Sequence, residues 1–255
     1  MHVHGEETVS ETLVIGGGGG KLGRFDSGWA GGPEVGKTDF NIFGLLCTFT
    51  RVSVSKKDLI VTAEWDTPKV YKNTGRRLVR MPSSLDSLYG WWNTVEVADL
   101  DNDGDMDLIL GNQGLNLHYK PTHETPMKMW INDYDNNGTI EQVTTLQKDG
   151  KDYPIHQKRE LTEQLPALKK QNLKASDYAG RTIHELFPKE VLDKSIVKKV
   201  ETSASVIAIN EGDGKFTIKN LPPRVQLSCI CDITCMDVNK DGNLDLIMAG
   251  NNFEF

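Results

Sequence analysis

Apolar residues in this chain come in short bursts rather than long stripes. DLIVTAEW from Asp58, DLILGNQG from Asp107 and DLIMAGNN from Asp245 each open on Asp-Leu-Ile, continue with β-favouring residues and end in small ones. Short apolar runs bounded by turn residues predict strands. KVYKNTGRRLVRM, MWINDYDNNGTIEQV and VIAINEGDGKFTIKN read as strand, tight Asn/Asp/Gly turn, strand. Repeated strand–turn–strand units with no long amphipathic helix between them predict stacked antiparallel sheets. The first two Asp-Leu-Ile runs start about 50 positions apart, close to the roughly 40–50 residues of a four-stranded propeller blade. The third starts about 140 positions later, too far for one blade, so an insertion is predicted.

The period changes inside that insertion. KRELTEQLPALKKQNL, DYAGRTIHELF and PKEVLDKSIVKK read as helix, with Leu161, Leu165 and Leu168 at i, i+4, i+7 spacing and Pro188 placed to open the last helix. The chain thus divides into a Gly-rich segment 1–55 that does not match the repeat, blade-type sheets at 56–156, a helical insertion at 157–200 and a blade-type segment at 201–255 that stops mid-blade. The insertion is the Lys/Arg-rich part, either a solvated basic face or a docking arm for a partner. The expected fold is all-β: a partial β-propeller of about three four-stranded blades with a helical insertion. Three blades do not close a ring. Further blades in a longer chain, or self-association through open blade edges, are therefore expected.

Composition narrows the classes. With 255 residues, 38% hydrophobic and 25% charged, the chain is a globular one of one or two domains. Its net charge of −7 argues against a nucleic-acid partner, which would call for a concentrated basic face. No apolar run approaches the roughly 20 residues of a membrane span. The amino terminus, MHVHGEETVSETLVIGGGGG, lacks the basic–apolar–small order of a secretory signal. Besides Cys47, Cys229, Cys231 and Cys235 share one parity in SCICDITCMD and are expected as small core residues of one strand face, in preference to a zinc cluster with no histidine nearby.

The candidate chemistry lies in three acidic loops. Asp99-x-Asp101-x-Asp103-Gly104-Asp105-x-Asp107 recurs as Asp237-x-Asn239-x-Asp241-Gly242-Asn243-x-Asp245, and more thinly as Asp133-x-Asp135-x-Asn137-Gly138-Thr139-x-Glu141. Alternating oxygen side chains about a glycine turn make a ring of hard ligands of the kind calcium takes, about six to eight oxygens at roughly 2.3–2.6 Å. Without a cation, the clustered carboxylates repel. An EF-hand needs a bidentate Glu at loop position twelve, which here is Leu110, Thr144 or Met248, and it needs flanking helices. These loops close instead at position nine, so the EF-hand is rejected.

A nine-residue loop feeding an Asp-Leu-Ile strand resembles the FG-GAP or VCBS repeat, the calcium-binding blade unit of integrin α-subunit propellers. Over about 56–255, GWWNTVEVADLDNDGDMDLILGN, ELTEQLPALKKQ and DVNKDGNLDLIMAGN are also similar to the secreted family related to cartilage acidic protein 1. The resemblance implies side-chain ligands from positions 1, 3, 5 and 9 and a backbone carbonyl from position 7. One Ca2+ would then be held by Asp99, Asp101, Asp103, Asp105 and Asp107, and a second by Asp237, Asn239, Asp241, Asn243 and Asp245. Asp133, Asp135, Asn137, Thr139 and Glu141 form a third, weaker set. It further implies an extracellular or envelope location and a protein or glycan ligand.

Rival chemistries are thinner. GGPEVGKT, Gly31 to Thr38, fits the nucleotide-binding P-loop pattern, yet GRFDSGWA before it is no buried strand and Pro33 sits within it. His118, His123, His156 and His184 accompany no nucleophile motif such as G-x-S-x-G. Trp91-Trp92 would serve a glycan-binding or carbohydrate-active propeller as a sugar platform, or else fill a gap between blades. The reading that accounts for most residues is a non-enzymatic binding or adhesion module in which calcium is structural.

Overall fold

The computed structural model describes residues 13–15, 47–52, 58–171 and 174–250. The P-loop-like Gly31–Thr38 lies outside them. The described chain is mostly β, in antiparallel sheets with few and short helices, a partial propeller-like all-β arrangement. Residues up to Leu117 together with those from Ser203 onward form one compact unit, and His118–Thr202 forms a second.

The first unit begins with β1 (Leu13–Ile15), β2 (Cys47–Val52), β3 (Asp58–Asp66), β4 (Lys69–Asn73) and β5 (Leu78–Met81), hydrogen-bonded in that order, with β6 (Gly90–Trp91) added to β3. Two short strands of the Gly-rich segment 1–55, β1 and β2, thus belong to this sheet. β7 (Thr94–Ala98) and β8 (Asp107–Gly111) follow. β8 pairs on its other side with β13 (Val206–Asn210), and β13 with β14 (Phe216–Asn220), giving the order β14-β13-β8-β7. β15 (Asp232–Met236) and β16 (Asp245–Ala249) form a further hairpin.

The sheet partners do not follow chain order. VIAINEGDGKFTIKN, not the nearer MWINDYDNNGTIEQV, completes the sheet of the Asp107 run, with Val206 opposite Leu110 and Ala208 opposite Leu108. The whole of 118–202 is therefore inserted between the second and third strands of one sheet. The physical reason is burial on two sides. Leu108 and Leu110 enter a core with Ile60, Val70, Trp92 and Val206, while Ile109 enters another with Ala98, Ile230 and Ile233. β13 matches β8 face for face, with Val206 and Ala208 in the first core and Ile207 packed against the second.

The second unit has β9 (Met127–Asn132), β10 (Glu141–Lys148), β11 (Lys151–Pro154) and β12 (Ile196–Val200) in the order β11-β10-β9-β12. Between β11 and β12 run α1 (Lys158–Gln164), α2 (Leu168–Gln171), α3 (Ala175–Ala179), α4 (Ile183–Leu186) and α5 (Lys189–Leu192). Leu161, Leu165 and Leu168 are all buried, in a core with Trp130, Val143 and Phe187.

The helical reading of 157–200 needs correction at three points. Leu165, preceding Pro166, is held at φ −125°, ψ 80°, and ends α1, because the proline ring disfavours helical backbone before it. DYAGRTIHELF divides at Gly180, and α4 restarts from a cap in which Glu185 accepts the Thr182 N–H at 2.7 Å. Helix ceases at Leu192, and Ile196–Val200 is a strand paired to β9, as β-branched Ile196 and Val197 favour. Pro188 stands directly before α5, as expected.

Candidate metal centre

Each acidic loop joins two paired strands: β7 to β8, β9 to β10, and β15 to β16. In each, the ninth residue is the first of the second strand, namely Asp107, Glu141 or Asp245. The three loops share one hydrogen-bond frame. The first-position carboxylate accepts the sixth-position glycine N–H: Asp99 from Gly104 at 3.1 Å, Asp133 from Gly138 at 2.9 Å, Asp237 from Gly242 at 2.9 Å. The third-position oxygen accepts the fifth N–H, in Asp101, Asp135 and Asn239. The fifth accepts the seventh N–H, in Asp103, Asn137 and Asp241. The ninth accepts the second N–H: Asp107 from Leu100 at 2.9 Å, Glu141 from Tyr134 at 3.0 Å, Asp245 from Val238 at 3.0 Å.

The backbone follows the same plan. Position four is left-handed in all three loops, at Asn102 (φ 63°), Asn136 (57°) and Lys240 (61°), and so is the glycine at position six (93°, 87° and 88°). Glycine tolerates that region freely and Asn tolerates it well, whereas Lys is strained there.

With amides fixing their outer lone pairs, the carboxylates turn toward one another. Oxygens of Asp99, Asp101 and Asp103 lie within 4.8 Å of each other, as do those of Asp133, Asp135 and Glu141. Asp99 Oδ1 is buried with no hydrogen-bond partner, a costly state for a carboxylate oxygen unless something else satisfies it. Desolvation, and after it the repulsion of Asp103, Asp107 and Asp99, pushes the Asp101 carboxyl above the usual range. The third loop behaves differently. There the Asn243 N–H and then the Asn239 amide hold Asp241 below its ordinary value, and Asp237, Asp241 and Asp245 are not among the tight carboxylate groups of the described residues. An all-oxygen donor set with a buried orphan acceptor fits a hard divalent cation best in the first loop.

Position nine carries a second duty that sequence reasoning missed. Asp107 is fully buried, and its Oδ1 accepts the Asn210 N–H at 2.8 Å from the end of β13. Asp58, which has no acidic loop before it, accepts the Asn73 N–H at 2.7 Å from the end of β4. Each asparagine then caps the next turn, accepting from Gly75 at 2.8 Å and from Gly212 at 3.1 Å. The signal was present as Asn-x-Gly closing each strand, at Asn73–Gly75 and Asn210–Gly212.

Residues 55–110 match the FG-GAP-like repeat. The matched FG-GAP-like stretch takes in β3 to β7, the first acidic loop and most of β8, so the other two loops lie beyond it. Repeats of this kind are typically extracellular binding or adhesion modules and are generally not enzymes. No curated protein and no solved structure matches the chain. No helix among the described residues is long and apolar enough to cross a membrane.

The rival sites fare poorly. Trp91 and Trp92 are buried, Trp92 completely. The Trp92 indole N–H donates to the Leu88 carbonyl at 3.0 Å, and Trp91 meets Trp65 edge-on. The sugar-platform reading is therefore overturned: these rings fill the core and present no face to a glycan. His156 Nε2 accepts the Thr144 N–H, His123 faces Glu201, and His184 packs edge-on to Trp130. The cysteines also depart from expectation, since only Cys235 belongs to β15 and Cys231 is exposed.

Proposed function

We propose that this chain is a calcium-braced repeat module for extracellular binding or adhesion, with the ion structural and no catalytic role. Asp99, Asp101 and Asp103 supply side-chain oxygens and Asp105 a backbone carbonyl, while Asp107 closes the loop from position nine. Asp237, Asn239, Asp241 and Asp245 supply side-chain oxygens and Asn243 a backbone carbonyl for a second site, with Asn239 a neutral amide where the first loop has Asp101. Asp133, Asp135, Asn137, Thr139 and Glu141 form a third. The observation that carries the reading is the buried, unpartnered Oδ1 of Asp99, whose carboxylate converges with those of Asp101 and Asp103. A bound cation would satisfy that oxygen and offset the mutual repulsion, stiffening the β7–β8 turn. The wider likeness to the cartilage acidic protein 1-related family, a location outside the cell and an unidentified protein or glycan ligand belong to the same reading.

Calorimetric titration with calcium tests it. The intact chain is expected to bind calcium and to melt at a higher temperature with it. Asp99→Asn should weaken the tightest step at least tenfold, about 1.4 kcal/mol. Absence of both heat and thermal shift in the unaltered chain would refute it.

A further inference from the structure

Just before β15 the chain crosses the ends of two other strands, carrying Cys229 and Cys231. The Ile230 N–H between them donates to the Asn112 carbonyl at 3.0 Å, beyond the end of β8, and the Cys231 N–H donates to Ala249 in β16 at 2.9 Å. Ile230 is buried in the core that also holds Ile109 and Ile233. The crossing leaves no room at its glycine neighbours. A Cβ on Gly111 would meet the Ile230 carbonyl at 2.7 Å, and one on Gly250 would collide with the carbonyl of Cys229. The backbone is thus pinned on both sides, and it presents the two thiols to the same side.

Cys229 is buried and Cys231 exposed, with their Sγ atoms 3.5 Å apart. A bond of about 2.05 Å requires the two Cβ atoms to stand about 3.5–4.5 Å apart, so closure puckers this three-residue segment. Cys235, by contrast, lies on β15, and burial, then the charge of Glu96, pushes its thiol up to about 11.

We propose that Cys229 and Cys231 are a disulfide modification site, closed by thiol–disulfide exchange with a small-molecule disulfide. The exposed Cys231 thiolate attacks one sulfur of that molecule, breaking its S–S bond and releasing one thiolate. The Cys229 thiolate then attacks Cys231 Sγ in the mixed disulfide and expels the second thiolate. Two protein thiols are oxidised, one small disulfide is reduced to two thiols, and the protons lost by the cysteines end on the leaving groups. So short a ring removes little freedom from the unfolded chain, so the bond adds little global stability and is readily reduced. Its effect is local: it fixes the crossing that ties β16 to β8. The site is independent of the calcium reading.

The test incubates the full chain with oxidised glutathione, alkylates it in denaturant and maps peptides without reduction. The four cysteines should fall to two alkylatable thiols, with a mass lower by two hydrogens and a peptide linked between Cys229 and Cys231. Dithiothreitol should restore all four. Cys231→Ser, at an exposed position, should leave Cys229 alkylated, and Cys235→Ser should leave the link intact. Full alkylation of the unaltered chain, a link to Cys47 or Cys235, or a persistent glutathione adduct on Cys231 would each overturn the proposal.

Discussion

β8 and β16 open with the same Asp-Leu-Ile after the same kind of loop, yet they live in different surroundings. β8 is buried along its whole length, in the middle of a four-stranded sheet and between two cores. β16 belongs to a two-stranded hairpin; it turns Leu246 and Met248 toward a core and leaves Ile247 48% exposed, where its counterpart Ile109 is 0% exposed. Asp107 serves two backbone amides, from Leu100 and Asn210, while Asp245 accepts one, from Val238. The repeated residues therefore specify the turn and the start of the strand, whereas neighbouring strands decide how much stability each residue contributes.

The largest expected break between the two comes at position nine. Asp107→Ala strands two N–H groups in a buried site and should lose about 4 kcal/mol, against about 1 kcal/mol for Asp245→Ala, as read by denaturant unfolding without added ions. Similar losses for both would mean that the Asn210 contact contributes nothing. Next come the isoleucines: Ile109→Ala should lose about 3 kcal/mol and Ile247→Ala less than about 1 kcal/mol. Equal losses would show that β16 is covered in solution. Within the loops, Lys240→Asn should gain about 0.5–1 kcal/mol, because Asn fills the same left-handed position in the other two.

The smallest effect concerns the docking of β15. Glu96, on β7, has its carboxyl raised above the ordinary range by burial, with an opposing N–H contact from Cys235 and further repulsion from Asp232. A carboxyl raised in the folded state binds its proton more tightly there. Its favourable contribution is complete below about pH 4.5 and is lost as pH rises through the folded value. Glu96→Gln should therefore flatten the decline of stability above that pH, measured as melting temperature across a pH series.

Much of this was legible in the chain. The Asp-Leu-Ile strands, the three hairpins and the buried Leu161, Leu165 and Leu168 followed from apolar spacing, and oxygen residues at odd positions around a glycine marked the three loops but not their shared hydrogen-bond frame. Strand partners were not legible. A local strand–turn–strand signal is equally strong in 127–148 and 206–220, and only two-sided burial of β8 decides between them. The cysteine parity failed because it assumed one continuous strand, whereas β15 begins at Asp232. The role of Asn210 was hidden because its partner Asp107 lies far away in sequence.

The position of the inserted unit has a consequence for how this chain tolerates change. The sheet that 118–202 interrupts is closed by its own residues: Gly114 N–H reaches the Ser203 carbonyl at 2.8 Å, and Asn112 N–H reaches Ser205 Oγ at 2.9 Å. Departure and return are thus stitched together at the base, like the two ends of a loop of rope tied off at a cleat. Whatever lies between can lengthen, shrink or be exchanged for other cargo while β8 and β13 keep their register.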